Sequence, residues 1–296
     1  MSKATTRRGR GSRSASGERL VLTGPGLLYL TVFMAVPLLL VLVYAFFQRG
    51  RFGGVVWRFT LDNFGRALDQ VYLSVLSNSL VIAGLTTVLA LLLGYPAAYA
   101  IAKLPPTWRT VALVLVVLPF WTNFLIRTYA WIVLLNSEGP LNKGLIALGV
   151  IDEPLGLLYT PGAVVAGLLY AYLPLMILPL YASIERLDPQ LREAAANLGA
   201  TPWRTFRDVT FPLTLPGVIT GCLFVFVPSL GNFVVPELLG GGKTVMVGNL
   251  IRDQFLKARD WPFGATLALA VIAFLVLLFM LQAWASRRVA GGGRDA

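Results

Sequence analysis

Histidine and cysteine, two side chains that often carry catalysis or bind metals, are nearly absent from this sequence of 296 residues. It has no histidine and a single cysteine, Cys222, which lies in an apolar run. This excludes zinc sites built from His or Cys, Ser-His-Asp or Cys-His catalysis, and a disulfide framework. Its 14 Asp and Glu residues form no recognisable catalytic pair, and it holds no Gly-x-x-x-x-Gly-Lys-Ser/Thr phosphate loop. We therefore expect no enzymatic activity, cofactor or metal in this chain.

The most informative polar segment is the stretch from about residue 186 to 212, here called the EAA loop after its residues Glu193-Ala194-Ala195. Asp188 and Thr201, each followed directly by proline, are predicted to cap two short helices. Gly199 stands where a left-handed residue would end the first helix, and Phe211-Pro212 is predicted to end the second. Two capped helices suit docking into another protein. They also suit a loop that merely joins two membrane spans, and these residues alone favour neither reading.

The elements on either side of this loop are apolar and long. Hydrophobic residues make up 56% of the sequence and charged residues only 13%, as in a membrane protein. A helix needs about 20 mostly apolar residues to cross a bilayer. Six segments meet this requirement, at about 24–47, 76–102, 111–135, 161–183, 216–236 and 264–285. The predicted fold is an all-α membrane protein with six transmembrane helices.

The positive charge of the chain, +11, is placed between these segments, where it faces lipid headgroups rather than nucleic acid. With both termini in the cytoplasm, 15 of the 25 Lys and Arg residues lie inside. The predicted organisation is a basic disordered cytoplasmic tail (1–19), a first transmembrane helix with its outer loop (20–71), a transmembrane domain (72–285) and a cytoplasmic tail (286–296). We expect short helices near Leu61–Phe64 and Val247–Phe255 in the outer loops.

One pattern in the EAA loop resembles a known signature. Glu193-Ala194-Ala195, then Gly199, then Val209-Thr210-Phe211-Pro212 is similar in spacing to the EAA signature of the permease subunits of bacterial ABC importers. Val209 and Phe211 replace the usual Ile and Leu. In that family the loop is a coupling helix in a cleft of the ATPase subunit. The resemblance therefore implies contact with an ATPase, through Glu193, Ala194, Ala195, Gly199 and Pro212.

Three further segments, 118–131, 231–241 and 259–264, resemble spermidine/putrescine permeases. The resemblance implies the bundle of a type I ABC importer permease in the inner membrane of a bacterium. It also implies ATPase subunits that bind ATP and Mg, a second similar permease and an external solute-binding protein. ATP would thus be bound by a partner and not by this chain.

Five residues are predicted to line the solute path: Trp121, Asn123, Tyr129, Asn232 and Glu237. Glu237 would attract a cation at the mouth, or simply face water. Aromatic side chains, which include Trp131, Tyr170 and Tyr172, can bind ammonium groups through their π faces, but they also suit a membrane-interface belt. The two asparagines need partners from neighbouring helices or from a wet cavity.

Arg127 is costly within a span and admits two readings. It is a gate residue that faces the bundle interior, or it reaches the membrane interface or a loop carboxylate. An anion path through Arg127, for a solute such as a phosphonate, is the alternative to a polyamine, as is a neutral solute. A secondary transporter would need ionisable residues at mid-span, which are scarce here.

Overall fold

The computed structural model describes the backbone of residues 12–291 and the side chains of residues 23–283. Within that part of the chain it is helical, with one small antiparallel sheet. The elements are α1 (Ser12–Tyr44), β1 (Phe47–Arg49), β2 (Val55–Phe59), α2 (Asp62–Ala67), α3 (Gln70–Ala102), α4 (Pro106–Val117), α5 (Phe124–Leu135), α6 (Pro140–Ala147), α7 (Pro161–Glu185), α8 (Pro189–Asn197), α9 (Pro202–Thr205), α10 (Phe211–Gly231), α11 (Val234–Gly240), α12 (Val247–Leu256) and α13 (Trp261–Gly291).

The centre of the bundle is formed by α3, α7 and α10, which pack along one another. Small residues let these helices approach closely, as is common between membrane helices. A Cβ atom at Gly217 of α10 would lie 2.8 Å from the carbonyl oxygen of Pro179 on α7. A Cβ at Gly221 would lie 2.7 Å from the sulfur of Met176. Larger residues at either glycine would therefore push α7 and α10 apart.

In the part of the chain that the structure describes, five helices are long and apolar enough to cross a membrane, and the number is six if one bent pair of helices counts as a single span. The bent pair corrects the predicted continuous span 111–135. Here α4 runs into a 3₁₀ turn, Leu118–Trp121, and the chain turns by 92° before α5 continues. The side chain of Asn123 accepts hydrogen bonds from the backbone N–H groups of Leu125 and Ile126, and so starts a new helix.

The predicted fifth span, 216–236, has different bounds in the structure at both ends. The helix does not stop at Phe211-Pro212, because α9 continues through a π-helical stretch, Phe206–Thr210, directly into α10. Wide π turns leave backbone groups unpaired, and Pro212, which has no N–H, fits directly after this one. At the other end α10 stops at Gly231, and Asn232 adopts an extended conformation before α11.

The connections at the far end of the bundle from the EAA loop, here called the hairpin end, contain more structure than the sequence indicates. The predicted helix near Leu61–Phe64 is α2, and the one near Val247–Phe255 is α12. The hairpin of β1 and β2 was not predicted. Asn63 of α2 stabilises the start of this hairpin. Its side-chain amide donates hydrogen bonds to the carbonyl oxygens of Ala45 and Phe47 at 3.2 and 2.9 Å.

Helix occupies part of both predicted tails. Helix α1 begins at Ser12, within the predicted tail of 1–19. Helix α13 continues to Gly291, into the predicted C-terminal tail of 286–296. The rest of the two predicted tails, 1–11 and 292–296, lies outside the described residues.

Candidate functional site

The EAA loop folds as its sequence predicts at both helix starts. The carboxylate of Asp188 accepts a hydrogen bond from the backbone N–H of Gln190 at 2.9 Å and caps α8. The hydroxyl of Thr201 accepts from the N–H of Arg204 at 3.4 Å and caps α9. Each cap satisfies a backbone donor that the first turn of a helix leaves free. The start of each short helix is thus stabilised by a residue of the loop itself.

Gly199 ends α8 with a φ of +81°, in the left-handed region. The N–H of Ala200 donates to the carbonyl of Ala195 at 3.0 Å, and that of Gly199 to the carbonyl of Ala196 at 2.9 Å. This pair of bonds is a Schellman motif, which closes the end of a helix around a left-handed residue. The predicted role of Gly199 as the turn between the two helices is confirmed.

The outer surface of α8 is open. No residue of α8 is buried; Glu193 and Ala194 are exposed and Ala195 is half-buried. Within the described residues Glu193 forms no ion pair, so its charge is available to another molecule. Leu198, just before Gly199, is 89% exposed and was not singled out from the sequence. Leu198 could have been identified from the sequence, because a large apolar residue directly before a helix-ending glycine in a polar loop is unusual.

An aromatic cluster joins the EAA loop to the bundle. The ring of Phe206 stacks on Trp203 and meets Tyr95 of α3 edge-on, each at 5.6 Å between centroids. Phe211 lies 6.0 Å from Tyr95, whose hydroxyl is hydrogen-bonded to the hydroxyl of Thr214 on α10 at 2.8 Å. Aromatic pairs at these distances add about 0.5–1.5 kcal/mol each. The cluster therefore places the EAA loop in direct contact with α3 and α10.

Pro212 is the last residue assigned to the EAA signature, and it is exposed. It lies in the first turn of α10, beside Phe211, and not at the end of a separate docking helix. Its position in the fold is therefore the junction between the loop and the span.

The predicted path residues fall into separate groups. Trp121 and Tyr129 are 77% and 56% exposed, on either side of the break between α4 and α5. Within residues 23–283 no hydrogen bond or ring contact joins them to the other predicted path residues. Asn123 lies between them and is occupied as the cap of α5. Its partners are backbone groups of its own helix.

Asn232 lies at the break between α10 and α11 and is only 9% exposed. Its amide nitrogen donates to the hydroxyl of Tyr172 on α7 at 2.7 Å, and its oxygen accepts from the N–H of Val235 at 2.9 Å. Neighbouring helices therefore satisfy it, which is one of the two predicted alternatives. The Tyr172 hydroxyl also lies 3.4 Å from the carbonyl of Pro228.

Arg127 stabilises the bend between α4 and α5. Its guanidinium donates to the carbonyl oxygen of Pro119 at 2.6 Å. It also lies 5.6–5.9 Å from the ring centres of Phe120, Phe124 and Tyr170. Among the described residues Arg127 forms no ion pair, so the alternative of a loop carboxylate as its partner is not found in this structure. The break in the helix exposes a carbonyl group, and this carbonyl together with the aromatic rings lets the charge lie within the span.

Glu237 was predicted either to attract a cation at the mouth of the path or to face water, but in the structure its carboxylate is held by two side chains of this chain. Its carboxylate accepts hydrogen bonds from Arg252 at 2.9 Å and from the Asn249 amide at 3.1 Å, both on α12. Arg252 also pairs with Asp253 at 2.7 Å. Burial alone would raise the pKa of Asp253, but hydrogen bonds from Arg252 and Lys257 outweigh it and hold the pKa below its usual range.

Comparison with known proteins agrees with this geometry. The sequence profile of the family described as "Binding-protein-dependent transport system inner membrane component" matches residues 90–291, which is more than half of the chain. The chain belongs to this family. It is 45% identical over 259 residues to "Spermidine/putrescine transport system permease protein PotB" of Escherichia coli strain K12, across 88% of this chain and 94% of that protein. The resemblance drawn from the sequence is therefore confirmed.

Solved structures match the fold. A bacterial ABC transporter involved in the import of the acidic polysaccharide alginate has a chain that superposes with a TM-score of 0.70 at 19% identity, covering 94% of this chain and 99% of that one. The alginate transporter in complex with its pentasaccharide-bound periplasmic protein gives 0.69 at 17% identity, covering 90% and 93%. At such low identity these matches establish the importer permease fold and nothing about the solute.

Proposed function

We propose that this chain is a membrane subunit of an ATP-driven importer and that its solute is a polyamine such as spermidine or putrescine. The observation that carries the proposal is the 45% identity, over 88% of the chain, to permeases named for these two solutes. The exposed and rigidly capped EAA loop supports the coupling part of the proposal.

The coupling step follows from the shape of the EAA loop. A separate ATPase subunit, which binds ATP and Mg, docks on α8 through Glu193, Ala194 and Ala195. The alanines let a partner approach closely, and Glu193 offers an unpaired charge for a Lys or Arg. When ATP closes the ATPase subunits, the loop moves and carries α3 and α10 with it through the aromatic cluster. The bundle then changes the side of the membrane to which it opens.

The remaining partners are a second permease of the same family and an external solute-binding protein. Both termini lie in the cytoplasm and the membrane is the inner membrane of a bacterium. A reporter enzyme fused after Ala296 tests this orientation. It should be active only in the cytoplasm, and activity outside would reject the arrangement.

A polyamine carries ammonium groups separated by methylenes, and therefore suits spaced acceptors with apolar walls between them. Exposed aromatic faces at Trp121 and Tyr129 offer cation–π contacts. Asn123 and Asn232 add further polar groups in the outer half of the bundle. Each accepts hydrogen bonds from backbone N–H groups at a helix break. Glu237 becomes available when it parts from Arg252. Few carboxylates are near, which suits a path that must release a polycation.

Uptake tests the solute. The assembly, reconstituted in vesicles with its binding protein, should accumulate labelled spermidine and putrescine, and a labelled phosphonate serves as the anionic comparison. Absence of polyamine uptake would reject the substrate class. The same assembly with Glu237→Gln should take up less polyamine than the unmodified assembly. Normal uptake by this variant would reject Glu237 as a solute-binding residue but not the polyamine as the solute. Arg252→Gln, which removes the ion pair of Glu237 but leaves its hydrogen bond from Asn249, separates a direct role of the carboxylate from a role of the ion pair in holding α11 to α12.

A further inference from the structure

A partly enclosed cavity of about 160 Å³ lies beside the EAA loop and plays no part in the proposed coupling or solute path. It is bordered by the end of α3, the start of α4, the end of α7 and the start of α8. Its ionisable lining consists of Lys103, Arg109, Arg192 and Glu185, with the ring of Tyr99 as one wall. Three cations and one carboxylate leave the cavity positively charged.

Arg109 and Glu185 form the fixed frame of the cavity. One guanidinium nitrogen of Arg109 donates to the Glu185 carboxylate at 2.9 Å. Another donates to the carbonyl oxygens of Ala102 and Leu104 at 3.1 and 3.3 Å, which holds the α3–α4 turn in place. Its Nε atom is buried without a partner. Glu185 is thereby neutralised, and two basic side chains remain without a counter-charge.

These two are Lys103 and Arg192. The ammonium group of Lys103 lies 4.3 Å from the centre of the Tyr99 ring and forms no ion pair within the described residues. Arg192 is half-buried and, in that same part of the chain, has no ion pair or hydrogen bond. Half-burial of an unpaired guanidinium is unfavourable, because it loses water without gaining an acceptor. A bound anion would supply that acceptor.

The location of the cavity limits the kind of anion. Apolar helices α3 and α7 both end here, at Ala102 and Glu185, and charged residues begin at once. The change from apolar to charged residues places this end of the helices where phospholipid headgroups are expected, and basic pockets between membrane helices bind anionic headgroups. We propose that the cavity binds a phosphate group, supplied by the headgroup of an anionic phospholipid or by free phosphate. Lys and Arg both suit phosphate oxygens as hydrogen-bond acceptors.

A phosphate held in this cavity would connect two parts of the importer. Lys103 follows α3 directly, whereas Arg192 belongs to α8 and is next to Glu193. The anion would bridge the bundle and the docking helix, and so fix the position of the EAA loop. Binding at the site is measurable whether or not a polyamine is the solute.

The test uses the full-length chain purified with its partner subunits in a neutral detergent. Binding is measured by native mass spectrometry during titration with phosphatidylglycerol, with phosphatidylcholine, and with inorganic phosphate alone. The variant is Lys103→Gln combined with Arg192→Gln. Arg204→Gln, an exposed basic residue of the same loop outside the cavity, is the matched control.

Each basic residue near an anionic lipid contributes about 1 kcal/mol, and about 1.4 kcal/mol is tenfold in affinity. The double variant should therefore bind phosphatidylglycerol about 30-fold more weakly, with phosphatidylcholine binding and the Arg204→Gln control unchanged. If phosphate alone binds the unmodified protein and not the double variant, the source is soluble phosphate. Equal binding of both phosphate sources by the unmodified protein and the double variant would overturn the proposal. If the double variant does not fold, the single changes should each weaken binding about fivefold.

Discussion

The turn at Gly199 offers a sharp test of how the EAA loop works. With a φ of +81°, this position costs little for glycine and more for any residue with a Cβ atom. A Cβ built there would meet no atom within 4 Å. Within this chain, backbone strain is therefore the main effect that we expect from Gly199→Val. The end of α8, closed by bonds to Ala195 and Ala196, is the structure that this strain opens.

The size of the effect follows from the conformation. The left-handed region costs about 1–2 kcal/mol for an ordinary residue, and a β-branched side chain such as Val lies at the upper end. A cost of this size lowers the ratio of correctly closed to open loops by a factor of about 5–30. Asparagine tolerates the left-handed conformation better than other residues with a Cβ. Gly199→Asn should therefore retain most of the function.

The assay measures ATPase copurification and solute uptake for Gly199→Val, Gly199→Asn and the unmodified protein, at equal amounts of inserted permease. We expect Val to lower both by about 5- to 30-fold and Asn to lower them much less. Equal failure of both variants would refute the reasoning, because it would mean that a partner needs the space of the missing side chain. Normal function of both would remove Gly199 from the coupling role altogether.

Three further predictions concern other contacts. Leu198→Ala removes a side chain that is 89% exposed, so it should leave the thermal unfolding of this chain unchanged, but weaken ATPase binding about tenfold or more if docking buries it. Tyr95→Phe removes the 2.8 Å hydrogen bond to Thr214 and should destabilise the α3–α10 contact by about 1 kcal/mol, measured by unfolding in detergent. The lowered pKa of Asp253 means that its ion pairs stabilise α12 above about pH 4 and are lost as the pH falls further. Acid should therefore increase the hydrogen exchange of α12 in the unmodified protein, and should increase it less in Asp253→Asn, which has no carboxylate at this position to protonate.

Local features of the fold were predictable from the sequence because their causes lie within a few residues. The caps at Asp188 and Thr201 and the left-handed turn at Gly199 depend on side chains next to the backbone groups they satisfy. The spans were predictable for a similar reason, since apolar length alone decides whether a helix can cross a bilayer.

The features that were missed depend on contacts distant in sequence or on breaks that hydropathy does not register. The turn of 92° between α4 and α5 lies in an apolar segment, where Pro119 and Asn123 were the available signals. The pairing of Glu237 with Arg252 joins two helices whose relative placement no local pattern gives. The contact of Asn232 with Tyr172 joins residues on two different helices in the same way.

ATP dependence of uptake tests the central claim most directly. Vesicles that contain the complete assembly, with ATP on the side of the EAA loop, should accumulate labelled spermidine against its gradient. Vesicles prepared without this chain, or loaded with a non-hydrolysable ATP analogue, should not. Accumulation driven by an ion gradient in the absence of ATP, or uptake that persists without this chain, would contradict the account.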